Sequence, residues 1–186
     1  MLILCLFLVH IFVPVFIEGM CLFNEEVIIV VIIIMNVFVV NATTAFAPRN
    51  KTELHDAAHA CLELAPVGNC SAGPHGPIGS WDVSAVTDMG RMFFNAQSFG
   101  QDLSAWNVSA VTNMHSMFLG AMSFNQHLSA WDVSAVTEMH GMFHYAMFFN
   151  NDLSEWNVSA VTNMHSMFSH AHFFNQDLPA WDVSAV

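Results

Sequence analysis

The chain has 186 residues, of which 55% are hydrophobic and only 10% charged, and its net charge is −12 with histidine neutral. Arg49, Lys51 and Arg91 are the only basic residues against fifteen acidic ones, which disfavours any partner with a phosphate backbone. The length allows one domain plus flanking segments.

Much of the apolar excess lies in residues 1–47. Met1–Ile17 is an apolar run broken by His10 and Pro14. Glu18 to Glu26 is a short acidic break, and Val27–Val40 is a second apolar run. Neither run reaches the roughly 20 residues that span a bilayer comfortably. Each is long enough for a signal-peptide core, and Ala45-Phe46-Ala47 offers an A-x-A cleavage pattern before Pro48. No Lys or Arg precedes Arg49, so the basic start of a signal peptide is missing. Residues 1–47 are read as a signal peptide or a membrane anchor, with a true start at Met20 or Met35 as the third reading. The membrane is therefore a partner of the chain only through this segment.

Residues 48–80 read as an N-terminal cap. Asn50 followed three residues later by Glu53 resembles a capping box. Leu54, Ala57, Ala58, Cys61 and Leu62 then fall on one helical face, which ends near Leu64 before Pro66. Gly68, Gly73, Pro74, Gly76, Pro77 and Gly79 make the next stretch an irregular loop. Cys5 and Cys21 would leave with a signal peptide, whereas Cys61 and Cys70 remain as an even pair. In an oxidising compartment they are expected to form a disulfide between helix end and loop; the alternative is two free buried thiols.

Residues 81–186 are four complete 25-residue repeats and a truncated fifth. Trp81, Trp106, Trp131, Trp156 and Trp181 open them. A fixed period of this length predicts a repeat solenoid in which each coil stacks on the last. In the third repeat, Trp131 and Val133 have strand spacing. Val136, Met139, Met142, Phe143, Ala146 and Phe149 have helical or tight-turn spacing, and the return through Leu153 is expected to be extended. The predicted fold is thus an α/β solenoid, leucine-rich-repeat-like, with a short parallel strand edge and a helical or turn edge. The Trp, Met and Phe columns are its core. The sequence stops six residues into a coil with no polar cap, so continuation beyond Val186, or cover by another chain, is expected.

The repeat, Trp-Asp/Asn-Val-Ser-x-Val-Thr-x-Met-x-x-Met-Phe-x-x-Ala-x-x-Phe-Asn-x-Asp-Leu-Ser, resembles the BspA-like leucine-rich-repeat surface proteins. The likeness covers Trp81–Val186, and Cys61, Cys70 and Gly76-Pro77-Ile78-Gly79-Ser80 resemble that family's entry. It implies a solenoid on the cell exterior used for adhesion or protein binding, with no catalytic residues. His115, His140 and His165 depart from the family's small polar residue, and His127 replaces its Asp.

The histidines are the sharpest chemical candidates. His115, His140 and His165 share one column, with His144, His170 and His172 nearby in the repeat. Stacked imidazoles suggest a metal site or a pH response; the plainer reading is a tolerated polar position. Asp82, Asp132 and Asp182 alternate with Asn107 and Asn157, and Asp102, Asp152 and Asp177 form a second column. Both suit turn hydrogen bonds better than Ca²⁺, whose Gly-rich nonapeptide is missing. Asn50 and Asn69 are the better glycosylation candidates among five sequons, the others being Asn41, Asn107 and Asn157. No Gly-x-Ser-x-Gly elbow or Gly-rich phosphate loop occurs, and no cofactor is expected. The expectation is a secreted or cell-surface, non-catalytic interaction or adhesion module that binds an unknown protein or cell-surface ligand. The alternatives are a His-based metal-binding or pH-responsive protein and a purely structural piece of a longer surface array.

Overall fold

The computed structural model describes residues 45–186. The signal-peptide or anchor reading, with Cys5, Cys21 and Asn41, lies essentially outside the described residues. Among these, no helix is long and apolar enough to cross a membrane.

Helix α1 spans Lys51–Leu64. Asn50 is its N-cap, with its side-chain oxygen accepting from the Glu53 amide at 3.0 Å. Glu53 reaches back one residue further than in a capping box and accepts from the Arg49 amide at 2.9 Å. Leu54, Ala57, Ala58 and Cys61 form its buried face. Ala65 turns extended before Pro66, where the proline ring disfavours another helical residue. Gly68 takes a φ of +90° against the Phe99 ring, where a Cβ would collide. The loop closes through a 3₁₀ turn, Ile78–Ser80, which leads directly into Trp81.

Consecutive repeats are joined by five kinds of hydrogen bond. At the first, Met89, Arg91, Phe93 and Asn95 donate to the carbonyls of Asn113, His115, Met117 and Leu119 at 2.7–2.9 Å. The intervening residues Met92, Phe94 and Ala96 donate locally, three residues back. The chain is therefore a ribbon of tight turns whose alternate amides reach the next repeat. The spacing of Val136 to Phe149 fits this ribbon as well as it fits a helix, because both bring residues three apart to one side.

At the second, each threonine follows the one before it. The Thr112, Thr137 and Thr162 amides donate to Thr87, Thr112 and Thr137 carbonyls at 2.8–2.9 Å, and each hydroxyl donates to the same oxygen. At the third, the Asn125 side chain accepts from the Asn150 amide at 3.0 Å, and Asn150 from Asn175 at 2.8 Å. The fourth is the tryptophan. The indole N–H of Trp106, Trp131, Trp156 and Trp181 donates to the carbonyl 28 residues back, at Ile78, Leu103, Leu128 and Leu153. At the fifth, the Ser123, Phe148 and Phe173 amides donate to the Gln97, Met122 and Met147 carbonyls at 3.0–3.2 Å. Parallel β-bridges occur singly, at Asp88, Asn113, Glu138 and Asn163. They lie ahead of the methionine columns, where extended pairing was expected at the return to the next tryptophan instead.

Inside these ladders lies one core. Phe93, Phe118, Phe143 and Phe168 stack at 5.5–5.6 Å between ring centroids. Each also packs on the ring six residues on, Phe99, Phe124, Phe149 and Phe174, at 4.0–4.1 Å. Met89, Met114, Met139, Met92, Met117 and Met142 are buried among them. The α1 face belongs to the same cluster.

Candidate functional site

The turn ribbon sets where exposed side chains stand. Two positions in every repeat take positive φ. One is Arg91, Ser116, Gly141 and Ser166; the other is Asn95, Gly120, Tyr145 and His170, with φ between 52° and 72°. Each closes a turn at its third residue, the position where a type II turn requires positive φ. Glycine holds each position once, and every other residue there except Asn95 costs about 1–2 kcal/mol of local backbone energy.

His115 and His140 stack with centroids 5.1 Å apart. Their Nδ1 atoms lie 3.0 Å from Asn113 Oδ1 and Glu138 Oε1, two residues earlier. Burial pushes the His115 pKa down, His140 and Lys51 push it further, and Asp88 and Glu138 oppose them. Burial acts to raise the Glu138 carboxyl, but hydrogen bonds from the His140 amide and ring and from Asn163 outweigh it and hold it low. His165 is exposed and is tied to the column through its amide, 3.0 Å from Asn163 Oδ1. Gly90 occupies the same position in the first repeat, where a Cβ would run into the His115 ring. Among the described residues no three His, Cys, Asp or Glu side chains gather closely enough to hold a metal. The column is brought together as a stack of two rings, not as a ligand set.

The acidic columns serve turns. Asp82, Asp102, Asp132, Asp152 and Asp182 accept from the serine amide two residues on at 2.8–3.1 Å. Asn107 and Asn157 do the same at 3.2 Å. Hydrogen bonds from the same serines hold the five carboxyls below the usual range. Asp and Asn alternate freely because only the acceptor oxygen is needed.

Cys61 and Cys70 lie at disulfide distance, with Cα atoms 5.6 Å apart. Beside them a cavity of about 390 Å³ is lined by Phe46, Leu64, His75 and Trp81, with Glu53 and Asp56 also in its wall. The sequon asparagines Asn50, Asn69, Asn107 and Asn157 are all exposed; Asn50 is engaged as the α1 cap, and Asn107 and Asn157 hold serine turns.

One feature was not singled out in the sequence. Tyr145 stacks on His170 at 4.2 Å, His144 meets Tyr145 edge-on at 4.5 Å, and Phe148 lies 5.2 Å from Phe173. The first and second repeats carry Ser98 and Ser123 where the third and fourth carry Phe148 and Phe173. The signal was available: these are aromatic residues outside the repeating core columns.

Residues 67–181 match the family model described as "Mycoplasma protein of unknown function, DUF285". No curated protein and no solved structure matches the chain.

Proposed function

Because the chain belongs to the family described as Mycoplasma protein of unknown function, DUF285, we propose that it is a non-catalytic recognition module of the cell exterior. In this reading the repeats form a leucine-rich-repeat-like solenoid of the BspA-like kind, and its lateral surface binds a partner protein. One observation carries it. The groups that join the repeats recur every 25 residues, whereas the side chains at the turn positions differ from repeat to repeat. A rigid frame that presents variable side chains on one edge has the physical make-up of a binding surface.

The test is protease treatment of intact cells that produce the chain. Digestion before lysis supports the reading. Survival until lysis overturns the exterior location.

A second reading has its own observation. The His115–His140 stack, with Nδ1 of each ring held by a neighbouring side chain, makes a pH-responsive role concrete. The pH profile argued in the Discussion tests it.

A further inference from the structure

We propose that the aromatic edge of the third and fourth repeats, formed by Tyr145, Phe148 and Phe173, docks an arginine-bearing segment of a partner protein. This deepens the recognition reading above by naming a site and a chemistry for it.

The edge is unusual for this chain in two ways. First, its rings are exposed where the rest of the aromatic inventory is largely interior: Tyr145 is 41%, Phe148 50% and Phe173 57% exposed. Single exposed apolar residues are ordinary, but here neighbouring repeats set theirs side by side, Phe148 against Phe173 and Tyr145 against His170. Second, the frame does not need them. Serine stands at the Phe148 position in two other repeats, and Gly120 stands at the Tyr145 position.

The partner's chemistry follows from charge and from a precedent within the molecule. The third and fourth repeats contain Asp132, Glu138, Asp152, Glu155 and Asp177 and no Lys or Arg. A cationic segment is drawn to that surface and an anionic one is repelled. Arg91 is the only base in the repeats, and its guanidinium carbon sits 4.1 Å over the ring of Phe94, on the turn ribbon of the first repeat. The ribbon therefore already holds one guanidinium on an aromatic face. Tyr145, Phe148 and Phe173 present further aromatic surface without an internal cation. A planar guanidinium stacks on such faces better than an ammonium does.

The experiment uses the full-length chain, a Gly-Arg repeat peptide and a Gly-Lys peptide of the same length, at physiological ionic strength. The comparison variant is Tyr145→Gly/Phe148→Ser/Phe173→Ser, which gives the third and fourth repeats residues that the first two already carry. The expected result is Gly-Arg binding about tenfold weaker to the variant than to the parent. The parent should also prefer Gly-Arg to Gly-Lys, and the variant's melting temperature should not fall. Equal binding by parent and variant would assign the affinity to general negative charge and overturn the proposal. No binding by the parent would overturn it. So would parent self-association that the variant loses, because the edge would then be a contact between copies. A large drop in the variant's melting temperature would make the rings structural and overturn it too. Should the triple variant fail to fold, Phe173→Ser alone is put through the same comparison. Binding is measured on purified chain, so it stands or falls independently of the protease test of location.

Discussion

The commonest polar device in the repeats is one acceptor oxygen facing a serine two residues on. In Asp82, Asp132 and Asp182 the serine hydroxyl is the main cause of the lowered carboxyl pKa, and in Asp102 and Asp152 the serine amide is. A carboxyl whose folded pKa is depressed stabilises the fold above its unfolded value of about 3.9. That contribution disappears as pH falls through the lower folded value. His115 works in a different window. Its folded pKa lies below the ordinary imidazole value, chiefly through burial, so the unfolded chain binds more protons as pH falls below about 6.5. Stability should therefore decline in two steps on acidification, one beginning near pH 6.5 and one below pH 4. Melting temperatures followed from pH 8 to pH 3 should show both. His115→Asn should remove the upper step and leave the lower one. A variant that keeps the upper step would place its origin outside His115 and remove the group on which the pH-responsive reading of that column rests.

At the scale of the element, the tryptophan does two jobs. It fills the core, and its indole N–H gives a second hydrogen bond to the carbonyl 28 residues back, which already accepts from the amide of the preceding tryptophan, Trp81 in the case of Ile78. Trp131 is 3% exposed, and its bond to Leu103 O is 3.0 Å long and buried. Trp131→Phe removes one of two donors to that carbonyl, which keeps the Trp106 amide at 3.0 Å, so the lost bond costs about 0.5–1.5 kcal/mol, and the substitution also removes part of a buried ring system. Urea denaturation should show a total loss of about 2–4 kcal/mol. Trp181→Phe should cost less than half as much, because that indole is only partly buried. Equal costs would mean that the indole bond contributes nothing beyond packing. The 25-residue spacing of these tryptophans was legible, and so were the core columns and the start of α1 at Asn50. The backbone between columns was not. Positive φ is read from glycine, and of the eight positions that take it in the ribbon only Gly120 and Gly141 are glycine. Arg91, Tyr145 and His170 give no such signal, so spacings of three and four remained open between helix and turn. The tryptophan bond was hidden for another reason: its acceptor is a main-chain carbonyl, which no side-chain pattern marks.

Across the whole molecule the contacts that bind the repeats run between nearest neighbours, which makes stability a local quantity. The α1 face shares the core cluster with the first repeats, and the loop after it is tied at Gly100 N to Val67 O and at Ile78 N to Gly68 O. A bond between Cys61 and Cys70 closes a short chain loop, with a sequence separation of nine. Loop-closure entropy gives such a bond about 2–3 kcal/mol. In a body held by nearest-neighbour contacts that amount should be felt where the loop packs and fade along the stack. Cys61→Ser/Cys70→Ser should therefore speed hydrogen exchange at the Met89 and Arg91 amides, which join the first repeat to the second. The Met139 and Gly141 amides, which join the third to the fourth, should keep most of their protection. Equal acceleration at both pairs would show that the stack opens as a single cooperative unit. The aromatic edge of the third and fourth repeats would then feel every disturbance of the cap. Under the local scheme that edge stays ordered when the cap loosens, as a recognition surface remote from the cap requires.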